Sequence, residues 1–247
     1  MPTTTRSSNK FKVLEMKDRS DDWVTRMDRI FDAPFRLLLI AKSGLGKTSL
    51  IGNIILRFYS HVFNGHDIYI FSPLKNDYKM ETIILEKDIP DHNIFEEHDN
   101  DLLRELYDKL VEDFEERVAN GKRPKNTLII MDDLSFSGAL RSGYFNQIAR
   151  IFCNGRKQLI SIIISSQLYS HVLPVCRENC SGMIVFNTAV RQLEQIAEDN
   201  NFLKTKRQFI EMFRANVREK HDFLVINYSN RLTDMYLNSD FEVIDAF

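Results

Sequence analysis

The residues with the clearest chemistry in this chain form a short glycine-containing segment. Residues 41–48, AKSGLGKT, follow the phosphate-binding pattern G-x-x-x-x-G-K-[ST], with Ala41 at the position of the first glycine. Glycines permit backbone torsions that point successive N–H groups inward, so such a loop and the helix after it cradle a polyphosphate. We therefore predict a nucleotide-binding loop formed by Ala41, Lys42, Ser43, Gly44, Leu45, Gly46, Lys47, Thr48 and Ser49.

Two side chains of this loop have distinct expected roles. Lys47 would bring a cation to the β- and γ-phosphates of ATP, and the hydroxyl of Thr48 would be a ligand of Mg²⁺. ATP and Mg²⁺ are therefore the predicted cofactors.

A pair of carboxylates ends an apolar run further along the chain. In residues 127–133, TLIIMDD, five residues typical of a buried strand precede Asp132 and Asp133. Ligands bind at the carboxyl ends of strands in open parallel sheets. We expect Asp132 to hold magnesium through water, and Asp133 to orient or deprotonate the water that attacks the terminal phosphate.

Two further features indicate the class of nucleotide hydrolase. Residues 67–72 form an extra strand, interpreted as lying between the strand of the phosphate loop and the strand of the aspartate pair. The run SIIISSQ ends in Gln167, which a parallel sheet would bring beside the γ-phosphate, where it could sense the phosphate or position water. This combination is typical of ATP-driven motors with a catalytic acid.

The elements around these residues alternate between apolar runs and helical spacing. This alternation predicts an α/β fold, a P-loop NTPase with a mainly parallel central sheet covered by helices on both faces. The predicted helices are 48–58, 102–118, 142–152 and 189–213, and the predicted strands are 36–40, 67–72, 127–131, 159–165 and 183–186, with an edge strand at 11–16 and a terminal hairpin of 223–228 with 234–237.

The length of 247 residues fits one domain. We expect a flexible tail at 1–10 and a single ATPase domain at 11–247, with its core at about 35–190 and a helical and hairpin extension at about 189–247. The start of the chain lacks the apolar core of a signal peptide, and the apolar runs are too short to span a membrane. The three cysteines, an odd number, indicate a reducing compartment and are expected to be thiols rather than metal ligands.

These motifs resemble the FtsK-HerA superfamily, and most closely the genome-packaging ATPases of large DNA viruses of the poxvirus type, their virophages and related mobile elements. The resemblance covers about residues 35–190 and depends on AKSGLGKT, LIIMDDL and the block IARIFCNGRKQLISIIISSQ. The sequence departs from the family pattern at Ala41, often glycine, at Lys157, often histidine, and at Asp133, where many relatives have glutamate.

The resemblance implies a homo-oligomeric ring that threads double-stranded DNA into a capsid through a capsid or portal component. It implies action in the host cytoplasm or virus factory, or in association with the virion, and no membrane partner. It also marks Arg156 as the arginine finger that would act on the γ-phosphate of a neighbouring subunit, with Arg150 as the alternative.

Any contact with DNA must be local or must arise from assembly, because the formal net charge is only −2. The sequence shows no base-reading motif, which suits a motor that contacts phosphates irrespective of sequence. The visible basic clusters are Lys122, Arg123 and Lys125, and Lys204, Lys206 and Arg207. Ordinary solvated surface is the favoured interpretation of each, and a lining of the ring pore is the alternative.

Alternative functions stay open from the sequence. A helicase or loader ATPase would share the chemistry, although helicases usually have a second core for which this chain is too short. A small-molecule kinase would be monomeric and would transfer phosphate to a nucleoside. A switch or scaffold protein would bind nucleotide without turnover, and Asp133 with Gln167 argues against that function.

Overall fold

The computed structural model describes residues 18–73, 77–97, 99–133 and 146–246. Within these ranges eight strands form one sheet, in the order β3-β2-β4-β5-β1-β6-β7-β8. The strands are β1 (Arg36–Ile40), β2 (Ile68–Phe71), β3 (Ile94–Phe95), β4 (Thr127–Met131), β5 (Ile160–Ser166), β6 (Gly182–Phe186), β7 (Phe223–Asn227) and β8 (Tyr236–Leu237). Strands β1 to β6 pair in parallel, while β7 and β8 are antiparallel to their neighbours.

Helices lie between consecutive strands along the chain from β1 to β7. They are α1 (Lys47–Asn53), which continues as a π-helical turn (Ile54–Phe58), α2 (Tyr78–Lys87), α3 (Asn100–Ala119), α4 (Gln147–Asn154), α5 (Pro174–Asn179), α6 (Val190–Asn200) and α7 (Lys206–Asn216). Short 3-10 turns occur at Arg19–Trp23, Gly65–Asp67, Asp91–Asn93, Gly155–Gln158, Tyr169–His171 and Leu232–Asp234.

Both faces of the sheet are covered, as predicted. Side chains of α1 and α2 pack on one face with Leu37 and Leu39 of β1. Side chains of α3 to α7 pack on the other face with Leu38 and Ile40. Successive residues of a strand point to opposite faces, so a strand buried on both sides must be apolar throughout. This explains the continuous apolar runs and confirms the predicted fold class.

The order of the strands corrects one sequence interpretation. The predicted strand 67–72 corresponds to β2, which lies on the outer side of β4 and not between β4 and the strand of the phosphate loop. The strand between them is β5, which pairs with β1 on one side and with β4 on the other. The sheet does contain a strand at the expected place, but it is β5, the strand that Gln167 follows directly.

The predicted helix 189–213 is also interrupted. It forms α6 and α7, because Asn201 accepts a hydrogen bond from the backbone of Leu203 and Thr205 then caps the second helix together with Gln208. Such local side-chain bonds end one helix and start another. The terminal hairpin is present as β7 and β8, whereas β3, α2 and α5 were not predicted. The predicted edge strand 11–16 lies outside the described residues, as do residues 142–145 of the helix that becomes α4.

In the part of the chain that the structure describes, no helix combines the length and the apolar character needed to cross a bilayer.

Candidate functional site

Three neighbouring strands bring the predicted site residues to one edge of the sheet. In the parallel register Met131 of β4 lies beside Ile164 of β5, and Ile40 of β1 lies beside Ser166. The chain positions that follow β4, β1 and β5 are therefore adjacent in space. They carry the aspartate pair, the phosphate loop and Gln167 respectively.

The phosphate loop has the backbone that its glycines predict. Gly44 has φ +77° and Gly46 has φ +103°, torsions that are strained for other residues. Gly46 immediately precedes α1, so the loop leads directly into the amino end of the helix. Lys47 is buried and donates from Nζ to the carbonyl oxygen of Ala41 at 3.0 Å. Of the other loop residues, Lys42, Ser43 and Gly44 are exposed, and Leu45, Gly46, Thr48 and Ser49 are half-buried.

Asp132 lies next to the loop and is almost inaccessible, with 1% of its surface exposed. Thr48 donates its hydroxyl to Oδ2 at 3.1 Å, and Ser165 donates its hydroxyl to Oδ1. Burial raises the pKa of this carboxyl above its ordinary value, while the two hydroxyl donors act in the opposite direction. Oxygen atoms of a hydroxyl and a carboxylate at this spacing are the ligand type that Mg²⁺ prefers, so the residues present fit that ion.

Asp133 and Gln167 form a second contact at the same edge. The Gln167 amide donates from Nε2 to both carboxylate oxygens of Asp133, at 3.0 and 3.1 Å. The backbone of Asp133 has φ +53° and donates its N–H to the Ser165 hydroxyl at 3.1 Å. A left-handed residue other than glycine is uncommon, and aspartate tolerates it better than most residues. Ser165 thus links Asp132 to Asp133, and Gln167 completes a continuous chain of contacts.

The two arginine candidates lie elsewhere. Arg156 belongs to the 3-10 turn Gly155–Gln158 that precedes β5, whereas Gln167 follows the same strand. The seven residues of β5 separate the two positions by about 20 Å. The Arg156 side chain is half-exposed, with Nη2 3.9 Å from Asp21. Arg150 is held within its own chain by Asp108 at 3.1 Å and by the ring of Tyr107, whose centroid lies 4.7 Å from the guanidinium carbon.

Three residues at this edge were not predicted. Ser165 has a recognisable signal, a hydroxyl inside an apolar strand. Gln192 of α6 accepts from the backbone N–H of Tyr169 at 2.8 Å and so holds the segment after Gln167. His221 lies 3.0 Å from the carbonyl oxygen of Leu45, although 176 residues separate the two in sequence. No local pattern could have identified a contact between such distant residues.

Both basic clusters are partly neutralised by acidic neighbours. Lys125 lies 3.3 Å from Asp67, Lys206 lies 3.7 Å from Glu198, and Arg207 donates to Glu211 at 2.8 Å. The pairs of Lys206 and Arg207 are exposed, so each contributes little to stability, whereas Asp67 is largely covered.

Residues 25–241 match a family model described as Poxvirus A32 protein. No curated protein is significantly similar to the chain in sequence. Among solved structures, the genome packaging NTPase B204 from Sulfolobus turreted icosahedral virus 2 in complex with AMP is 14% identical, with 79% of this chain and 93% of that chain covered and a TM-score of 0.56. B204 described as the DNA-packaging ATPase from Sulfolobus turreted icosahedral virus is 14% identical, covering 83% and 97%, with a TM-score of 0.58. The pCW3 conjugation coupling protein TcpA is 12% identical, covering 87% and 61%, with a TM-score of 0.53.

Proposed function

This chain belongs to the Poxvirus A32 protein family, and we propose that it is an ATPase that hydrolyses ATP to move double-stranded DNA into a viral capsid. The family match agrees with the resemblance drawn from the motifs and extends it from about residues 35–190 to residues 25–241. The parallel sheet with the phosphate loop after β1 is the P-loop NTPase fold.

One observation carries the chemical part of this proposal. A continuous set of contacts joins Thr48, Asp132, Ser165, Asp133 and Gln167 at the ends of three adjacent strands. A phosphoryl transfer with little covalent chemistry needs positioning and charge neutralisation above all. The arrangement therefore suits hydrolysis of a terminal phosphate, with each role assigned to a separate side chain.

The phosphate loop would bind the polyphosphate through its amides and through Lys47. Thr48 and Asp132 would hold Mg²⁺, which when bound neutralises charge on the β- and γ-phosphates. Because Ser165 and Thr48 both donate to Asp132, the carboxylate is already oriented before an ion is present. Asp132 would therefore contribute a preorganised ligand at small cost.

Asp133 would accept the proton of the attacking water. Gln167, which holds both oxygens of that carboxylate, would fix its direction and lie beside the terminal phosphate. Because a water would lie between Asp133 and the phosphate, aspartate can take the place of the longer glutamate that many relatives have.

The motor function is supported by relatives rather than by the site alone. B204, which has the same fold, is described as a DNA-packaging ATPase. A homo-oligomeric ring would surround double-stranded DNA and contact phosphates irrespective of sequence, and a capsid or portal component would anchor it. The basic clusters of α7 and of the loop before β4 are the proposed DNA contacts. The place of action would be the host cytoplasm or the assembling virion.

ATP turnover measured with and without double-stranded DNA, alongside mass by light scattering, tests the proposal. We expect magnesium-dependent hydrolysis by a ring-sized assembly, stimulated by DNA. Lys47→Ala should abolish it, whereas Gln167→Ala should retain ATP affinity and lose about 10²-fold in turnover. Turnover that depends on a nucleoside acceptor in a monomer would indicate a kinase and contradict the proposal, as would unaltered turnover by Lys47→Ala.

A further inference from the structure

The turn before β7 contacts the phosphate loop from the C-terminal part of the chain. His221 lies on this turn, with Nδ1 3.0 Å from the carbonyl oxygen of Leu45. A carbonyl oxygen only accepts hydrogen bonds, so this contact is a hydrogen bond when the imidazole carries a proton on Nδ1. The same Nδ1 lies 3.4 Å from the point where a Cβ on Gly46 would stand. The imidazole therefore packs against the loop at two consecutive residues.

The turn itself is firmly held. The Asp222 carboxylate accepts the backbone N–H groups of Arg218 at 3.0 Å and of Glu219 at 2.8 Å. Phe223 then starts β7, where it pairs with Phe186 at the end of β6. His221 thus extends from an exposed turn that has its own hydrogen bonds and leads directly into the sheet, and its contact joins the loop to that turn.

The geometry of the peptide bond shows what this contact does. In a planar trans peptide the C=O and the following N–H point in opposite directions. When His221 fixes the carbonyl of Leu45, it also directs the N–H of Gly46 away from the imidazole. Gly46, with φ +103°, directly precedes α1, so its N–H is one of the amides that a phosphate loop offers to a polyphosphate.

The turn with His221 lies before β7, on the other side of β1 from the hydrolytic residues. β6 and β7 lie on one side of β1, whereas β5 and β4, which lead to Gln167 and Asp133, lie on the other. In the proposed ATPase the terminal phosphate faces Gln167 and Asp133. The turn that carries His221 therefore approaches the loop from the side of β1 opposite to Gln167 and Asp133, so we expect its contact to lie away from the reacting bond.

We infer that His221 is a positioning residue for nucleotide binding, which aims the Gly46 amide at the phosphate chain without taking part in hydrolysis. The inference rests on the proposed function of the same loop. It assigns the C-terminal extension a direct part in the nucleotide site.

The test compares His221→Ala with His221→Asn, whose side-chain amide can place a donor near the position of Nδ1. We expect His221→Ala to weaken the binding of ATP, ADP and inorganic tripolyphosphate alike by about 3- to 10-fold, the effect of one hydrogen bond. The maximal turnover rate should stay within about twofold of wild type. His221→Asn should restore affinity. Glu219→Gln is the matched control, because it changes an exposed side chain of the same turn and keeps the backbone bonds to Asp222.

Several outcomes would overturn the inference while leaving the ATPase intact. These are unchanged affinity in His221→Ala, a loss of turnover at unchanged affinity, a loss for ATP but not for tripolyphosphate, and failure of His221→Asn to restore binding. If the wild-type protein bound no nucleotide, the proposed function itself would fail, and the inference with it.

Discussion

The side chain of Asp132 lowers the stability of the fold at the position where the proposed function needs a charged group. Its carboxylate is buried, and burial raises the pKa of the group above its ordinary value. An acid whose pKa is raised in the folded state destabilises that state at every pH where it is ionised. The hydroxyls of Ser165 and Thr48 offset part of this cost. In the proposed function this cost is the consequence of using Asp132 to hold Mg²⁺, because a ligand of that ion must be charged.

Asp132→Asn should therefore stabilise the protein when no metal or nucleotide is present. The amide has the same shape, and its oxygen can still accept from Ser165, but no charge is buried. We expect a gain of about 1 kcal/mol near pH 7.5, or about 2–4 °C in melting temperature for a chain of this size, together with loss of hydrolysis.

The pH dependence gives the control for this prediction. As pH falls below the raised pKa of Asp132, the folded carboxyl takes up a proton and the penalty declines, and it vanishes only below the ordinary pKa that this carboxyl has in the unfolded chain. The difference between wild type and Asp132→Asn should therefore shrink on acidification. Melting curves of both proteins at pH 7.5 and at an acidic pH check this. A variant that melts below wild type at pH 7.5 would show that the two hydroxyl contacts outweigh desolvation.

At the scale of elements, local pattern predicts the strands and leaves their order undetermined. The predicted strands 36–40 and 127–131 match β1 and β4 in every residue, because continuous apolar runs between turn signals have one stable outcome in a covered sheet. The order of strands depends on which faces and edges pack together, and no window of sequence contains that information. Residues 67–72 were interpreted as a strand between β1 and β4. They form β2 on the outer side of β4, and β5 lies between β1 and β4.

The same division applies to the site. That Lys47, Asp132 and Gln167 lie at one edge of the sheet was predictable, because each follows a strand and the parallel ends of strands converge. Ser165 was overlooked within its apolar run. His221 could not be found, since its contact with Leu45 depends on β7 returning antiparallel to β6. Side chains that follow strands can be placed from the sequence, whereas contacts that depend on the order and direction of strands can be identified only in the folded structure.

Gly182 illustrates how closely an element beside the phosphate loop is packed. It starts β6, and a Cβ at this position would lie 1.9 Å from Cε1 of Phe31, a fully buried ring. Gly182→Ala should therefore force the ring to move and cost about 1–3 kcal/mol in unfolding free energy, as overpacked cores do. Denaturant unfolding measures the change.

Phe31→Leu provides the means to separate a clash from a backbone effect. Combined with Gly182→Ala, the smaller side chain should remove much of the penalty, so the two changes should be non-additive in a double-mutant cycle. Additive costs would show that the alanine acts on the strand itself and not through Phe31.

For the whole molecule, the important geometry is the separation of Arg156 from the phosphate loop. The two lie at opposite edges of the sheet, about 20 Å apart along β5. Arg156 therefore lies too far from the loop of its own chain to touch a phosphate bound there. If it is the arginine finger that the family resemblance implies, the site must be completed by a neighbouring copy.

Mixed assemblies test this directly. Arg156→Ala alone should lose about 10³-fold or more in turnover while ATP affinity is kept, as expected for a finger supplied by a neighbour. Lys47→Ala alone should be inactive because its own loop cannot bind the phosphates. In a ring that contains both variants, an Arg156→Ala subunit keeps an intact loop and receives Arg156 from a Lys47→Ala neighbour. Random mixing at equal amounts should restore about one quarter of wild-type turnover, since each active site needs both conditions at once.

The controls identify which arginine acts and whether subunits mix. Two affinity tags, one on each variant, establish that the assemblies contain both chains. Assemblies that mix Arg150→Ala chains with Lys47→Ala chains are the parallel experiment. We expect less recovery of turnover in them, because Asp108 and Tyr107 contact Arg150 within its own chain. Mixed assemblies without recovery, or full turnover by Arg156→Ala alone, would exclude Arg156 as the finger. Recovery of turnover only in the Arg150→Ala mixture would identify Arg150 as the finger. The surface of α4 would then be the part of one subunit that contacts the nucleotide of the next.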